Sequence, residues 1–142
     1  MKVAIGSDHA GFELKESLRK HLENKGIDVV DKGTFSSERA DYPDYGHAVA
    51  TAVLDKSVDL GILMCGSGNG IAMSANKHAG IRAALCWNEE ITTLARQHND
   101  ANILVLPARY ISPESAKNCI DIFLSTTFEG GRHQDRILKI NI

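Results

Sequence analysis

Two spacings of apolar residues alternate along the chain. Short apolar runs with the character of buried strands occupy residues 2–5, 27–30, 60–64, 81–86 and 103–106. Between them apolar residues recur at helical spacing. Leu14, Leu18 and Leu22 share one face of a first helix that Gly26 ends, while Lys15, Glu16, Arg19 and Lys20 supply its wet face. Asp41-Tyr42-Pro43-Asp44 opens a second helix, with Val49, Ala52 and Val53 turned toward the sheet, and a third runs from 71 to 77. Asn88 is placed to cap a fourth helix through Ile91, Leu94 and Ala95, with Glu89 and Glu90 at its positive end. Ser112-Pro113-Glu114 has the form of a cap, a first-turn proline and a first-turn acid, ahead of Ala116, Ile120, Phe123 and Leu124. Residues 32–40 follow neither period and read as a loop.

Strands that alternate with helices through short connections imply parallel pairing and right-handed crossovers. The expected fold is α/β: a three-layer, Rossmann-like, doubly wound sheet of five parallel strands with helices on both faces. With 142 residues the chain suits one domain, 1–142. Composition narrows function more than fold. Lys and Arg total 16 against 18 Asp and Glu, so no general basic field exists to hold a nucleic-acid backbone, and any anion site must be local. No apolar stretch is long enough for a membrane span, and the opening run is too short for a signal peptide. Cys65, Cys86 and Cys119 are odd in number and widely spaced, which fits neither a disulfide framework nor a zinc site and suggests a reducing, cytoplasmic setting.

In such a fold ligands gather at the carboxyl ends of the strands, near a switch in strand order. Asp8 and His9 follow the first strand there, Arg109 the fifth, and Cys65-Gly66-Ser67-Gly68-Asn69-Gly70 the third. Glycines in that loop would bring backbone N–H groups to an anion at a helix start, beside a thiol. The plain alternative is a bare turn after a buried cysteine. His98 and Asn99 depart from the pattern, since they lie at the other end of their own strand and suit a neighbouring subunit's pocket. In a final helix, Arg132 and Arg136 would share a face and bracket a phosphate; a solvated basic tail is the other reading.

Other motifs fail. Residues 6–11 have the glycine spacing of a phosphate loop, but Phe12-Glu13 stand where Lys-Ser/Thr is required. Gly66, Gly68 and Gly70 fall one residue short of the dinucleotide fingerprint, no His or Cys cluster has metal-ligand spacing, and no arginine lies between Cys65 and Lys77 as a phosphatase loop demands. No cofactor and no metal are expected.

Six motifs in order then resemble the ribose-5-phosphate isomerase B family, related to the galactose-6-phosphate isomerase subunits: Gly6-Ser7-Asp8-His9, Asp41-Tyr42-Pro43, residues 65–70, Ala75-Asn76-Lys77, Arg96-Gln97-His98-Asn99-Asp100 and Gly130-Gly131-Arg132-His133. The resemblance runs nearly end to end. It implies an aldose–ketose isomerase that interconverts ribose 5-phosphate and ribulose 5-phosphate, in the non-oxidative pentose phosphate pathway, through an enediolate. Cys65 would be the base. His98 would open the furanose ring, and Ser67, where many relatives carry threonine, would assist at the sugar oxygens. By the same resemblance Gly66, Ser67, Gly68, Asn69 and Gly70 would hold the oxyanion, and Asp8, Tyr42 and Asn99 the sugar hydroxyls. His9, Arg109, Arg132 and Arg136 would take the phosphate. Family members are homo-oligomers, dimers or larger, with sites shared between chains, so residues 129–142 would reach a partner. His21, His47 and His78, outside these motifs, are expected at the surface. A six-carbon substrate such as allose or galactose 6-phosphate keeps the same chemistry, and a non-catalytic phosphate-ligand sensor would need the glycines and arginines without the thiol.

Overall fold

The computed structural model describes residues 1–142. Five strands alternate with helices in chain order: β1 (Lys2–Ser7), a 3-10 turn (His9–Gly11), α1 (Phe12–Asn24), β2 (Asp28–Asp31), α2 (Tyr42–Leu54), β3 (Leu60–Cys65), α3 (Asn69–Asn76), β4 (Ala83–Leu85), α4 (Glu89–Gln97), β5 (Ile103–Pro107), α5 (Pro113–Ser125) and α6 (Arg132–Leu138). All pairings are parallel, in the order β2-β1-β3-β5-β4. The chain moves outward from β1 to β2 and then returns to place β3 on the other side of β1. That reversal opens a crevice between the carboxyl ends of β1 and β3. No helix is long and apolar enough to cross a membrane.

Side chains that alternate along each strand build two cores. Val3, Ile5, Ile62, Met64, Leu104 and Leu106 pack against Leu14, Leu18 and Leu22 of α1 and Ile120 and Phe123 of α5. Ala4, Leu63, Cys65, Ile103 and Val105 face the opposite way, against Val49 of α2 and Ile71 of α3. Each fully buried leucine contributes about 1.5–3 kcal/mol through the water its surface gives up. The alternation also decides where the candidate base points: Cys65 is odd-numbered like Leu63, so its sulfur faces the α2/α3 layer.

The predicted caps form. Asn88 Oδ1 accepts from Ile91 N at 2.9 Å, and Ser112 Oγ accepts from Ser115 N at 3.1 Å. Several boundaries shift: β1, β2, β3 and β5 run on to Ser7, Asp31, Cys65 and Pro107. β2 starts at Asp28 rather than 27, α3 begins at Asn69, and β4 covers only 83–85. The late start of β4 has a local cause: Arg82 N donates to the side-chain Oδ1 of Asn102 at 2.8 Å in place of a backbone acceptor. One assignment is overturned. Lys15 does not lie on a wet face but is 0% exposed, its Nζ 2.7 Å from Asp31 and 2.9 Å from Glu16. The carboxyl end of β2 brings Asp31 beneath α1, and the rings of Phe12 and Phe35 flank the ammonium at 5.5 and 5.7 Å. A charge fully paired in this way tolerates burial.

Candidate active site

At the end of β3 the chain turns sharply into α3. Gly68 takes a left-handed conformation with φ of 81°, and a Cβ there would meet Leu85 Cδ1 at 2.5 Å. The other two glycines of the loop seat side chains from elsewhere. A Cβ on Gly66 would stand 3.1 Å from Arg109 Nη1, and one on Gly70 would stand 2.5 Å from the Tyr42 ring. Small residues here therefore let an arginine from the end of β5 and a tyrosine from the start of α2 close over the loop. Backbone bonds fix that closure, with Ala108 N donating to Cys65 O at 2.9 Å and Arg109 N to Gly66 O at 3.0 Å.

Hydrogen bonding around this loop is lopsided. Its carbonyls at 65, 66 and 68 accept bonds, yet the N–H groups of Gly66, Ser67, Gly68 and Gly70 donate to nothing within the chain. Free amides clustered at a helix start form an anion-binding concavity. The amide of Asn69 is used locally: Ser67 Oγ accepts from Asn69 N at 3.3 Å and from Nδ2 at 3.2 Å, which leaves the serine O–H free to donate. Cys65 is 4% exposed and begins this concavity. Burial pushes Cys86 up to about 11 and raises Cys119 as well, so both stay protonated near neutral pH.

Across the crevice, Asp8 is buried and its Oδ1 accepts from Gly11 N at 3.1 Å, shaping the turn after β1. His9 Nδ1 sits 3.1 Å from Ala40 O and 3.2 Å from Ala40 N, which ties the 32–40 loop to the site and leaves Nε2 open. Ser7 Oγ, fully buried beside them, has no partner. Thus Asp8, His9, Tyr42, Cys65, Ser67, Asn69, Arg109 and the three glycines share one edge of the sheet.

His98, Asn99, Arg132 and Arg136 do not join them within the chain. Ile103 pairs with Gly61 and Pro107 with Cys65, so β5 runs away from His98 over its whole length. Roughly 13 Å of strand separates the two edges. At the far edge His98 closes α4, and its imidazole stacks on that of His133 with centroids 4.3 Å apart and planes 11° from parallel. Asn99 and Arg82 border a cavity of about 350 Å³, and Arg132 and Arg136 are exposed on α6, helical as expected.

His133 and Glu129 had no role assigned from sequence. Glu129 Oε2 lies 3.6 Å from His133 Nε2, and ligand atoms of His98, Glu129 and His133 fall within 4.8 Å of one another. The trio is a poor cage for one metal ion, because imidazole lone pairs lie in the ring plane and parallel rings do not aim them at a common point. A signal for His133 was present, since it stands four residues before Ile137 and the two form the buried face of α6. Of the three remaining histidines, His47 is exposed, with its Nδ1 2.7 Å from His78 Nε2. His21 is half-buried and lies 2.8 Å from Asp121.

Comparison with known proteins gives one consistent result. Residues 3–140 match the family model described as Ribose/Galactose Isomerase. Ribose-5-phosphate isomerase B of Escherichia coli K12 is 51% identical over 139 residues, covering 98% of this chain and 93% of the relative. The crystal structure of a ribose 5-phosphate isomerase from Thermotoga maritima superposes with a TM-score of 0.98 at 54% identity, covering 99% of this chain and 97% of that one. The Mycoplasma genitalium ribose-5-phosphate isomerase B, solved with bound ribulose-5-phosphate, gives a TM-score of 0.93 at 45% identity, with 98% and 93% covered. The chain belongs to the ribose/galactose isomerase family.

Proposed function

We propose that this protein interconverts ribose 5-phosphate and ribulose 5-phosphate through an enediolate, with Cys65 as the base. The observation that carries the reading is that Cys65 ends β3 immediately before a loop whose four amides have no acceptor in the chain. Cys65 takes the proton from C2 of the open-chain aldose, the carbonyl oxygen at C1 gains negative charge, and the loop N–H groups stabilise it. Each such donor is worth roughly 3–4 kcal/mol in other enzymes. The hydroxyl proton passes from O2 to O1 of the enediolate, and the proton held by Cys65 returns at C1 to give the ketose. The Ser67 hydroxyl donates to a sugar oxygen, Asp8 and Tyr42 hold hydroxyls, and His9 and Arg109 take phosphate oxygens at this edge.

His98, Asn99, Arg132 and Arg136 complete the site from a second copy of the chain, the far edge of one subunit meeting the carboxyl edge of its partner. His98 opens the furanose ring there, and the two arginines of α6 pair with the phosphate, for which planar guanidinium groups are suited. The relative solved with ribulose-5-phosphate supports a five-carbon sugar phosphate as substrate. Cys65→Ala is expected to lower turnover of ribose 5-phosphate by about a thousand-fold, within the range for loss of a general base, with an unchanged far-UV circular dichroism spectrum. Wild-type turnover by that variant overturns the assignment.

A further inference from the structure

The His98 imidazole makes no side-chain hydrogen bond within the chain, and the neighbour that fixes its plane is the stacked ring of His133. His133 is itself held firmly. Its side chain is 10% exposed and lies beside Glu129, whose N donates to Gln97 O at 3.1 Å and so pins the segment to the last turn of α4. α6 spans seven residues, too short to persist alone, and only His133 and Ile137 are buried on it. A leucine at 133 would dock that helix without the cost of burying ring nitrogens. An imidazole there, face to face with another, points to a different task.

We propose that His133 is a positioning residue for His98: its flat face sets the plane of the ring-opening histidine and its helix fixes how far that histidine lies from the arginines that take the phosphate. Arg132 precedes His133 and Arg136 follows it by three residues, so the same short helix carries the phosphate anchor and the surface on which His98 rests. The distance from phosphorus to ring oxygen is a constant of the substrate. A stack that joins the two contacts converts phosphate binding into alignment of the proton donor, and misplacement of a reacting group by about an ångström costs up to about a hundred-fold in rate. The inference rests on the isomerase reading above and on His98 as its ring-opening group.

Ribulose 5-phosphate separates the two halves of the chemistry. Its C5 oxygen carries the phosphate, so it stays open-chain, and exchange of its C1 proton with solvent needs the base but no ring opening. His133→Leu, which fills the space without a flat face, is expected to lower ribose 5-phosphate turnover by between about ten- and a hundred-fold. Deuterium wash-in at C1 of ribulose 5-phosphate, followed by proton NMR, stays within about two-fold of wild type. His133→Phe keeps the flat face and restores most of the lost turnover, with thermal melting of both variants recorded alongside. The positioning role is overturned if His133→Leu turns over ribose 5-phosphate normally, if exchange falls as far as turnover, or if His133→Phe is as impaired as His133→Leu. His98→Asn tells the inference from its premise. It must show the same split, and if it instead turns over ribose 5-phosphate normally the ring-opening assignment itself falls. Cys65→Ala must lower turnover and exchange together.

Discussion

Lys15 sits with its ammonium 2.7 Å from Asp31 and no surface in contact with solvent. Removing one member of a buried pair leaves the other charge unanswered, so Lys15→Ala is expected to lower unfolding free energy by about 3 kcal/mol, read from the denaturant midpoint. The aliphatic stem adds lost packing to lost charge. Its neighbour Glu16 predicts the pH dependence. Arg19 first, then Lys15, hold the Glu16 carboxyl at about 2, below its ordinary 4.5. A folded-state value below the unfolded one means that the stabilisation is complete above pH 4.5 and is lost as pH falls toward 2. Glu16→Gln should flatten part of the stability decline across that window in denaturant titrations at stepped pH. None of this was legible along the chain. The spacing of Leu14, Leu18 and Leu22 identified the buried face correctly, but a lysine beside that stripe becomes a buried one only when a carboxylate from a separate strand arrives next to it.

Helix starts were readable because a cap is chemistry between residues three apart. Asn88 and Ser112 announced α4 and α5 from their own side chains, and Ser112→Ala should cost about 1 kcal/mol of stability with no change in kcat. Edges were harder. Where β4 starts depends on the side chain of Asn102, and the seating of Tyr42 over Gly70 depends on how α2 meets α3. The loop between β3 and α3 joins both kinds of information. Gly68 was visible as part of a glycine run, but its necessity comes from φ of 81° and from Leu85, which packs where a Cβ would stand. Gly68→Ala is therefore expected to cost at least about 1–2 kcal/mol in backbone strain and, by turning the free amides away from Cys65, to lower kcat more than it changes KM. A fall in thermal stability with kcat intact would show that the loop amides do not face the reacting oxygen.

Strand order is a property of the whole molecule, and the sequence pattern predicted five parallel strands without saying which lie side by side. The observed order β2-β1-β3-β5-β4 puts Asp8, His9, Cys65 and Arg109 on one edge and leaves His98, Asn99, Arg132 and Arg136 on the other. The sequence carried a hint of this, since His98 and Asn99 precede their strand where the other candidates follow theirs. Each chain thus presents half of the proposed machinery at either end of its sheet, and an assembly that brings opposite edges together contains whole sites. That arrangement makes a prediction no single-chain site shares. Cys65→Ala spoils the thiol edge and His98→Asn the histidine edge, so each variant alone should be strongly impaired toward ribose 5-phosphate. In a mixed dimer of the two, one site draws its cysteine and its histidine from the undamaged edges, while the other carries both substitutions. Unfolding equal amounts together and refolding them should leave about half of the dimers mixed, each with one intact site of two, and recover about a quarter of wild-type activity. Refolding either variant alone controls for the procedure. Failure of the mixture to regain activity, while wild type passed through the same steps does, would place both residues in one chain's site and refute the shared arrangement.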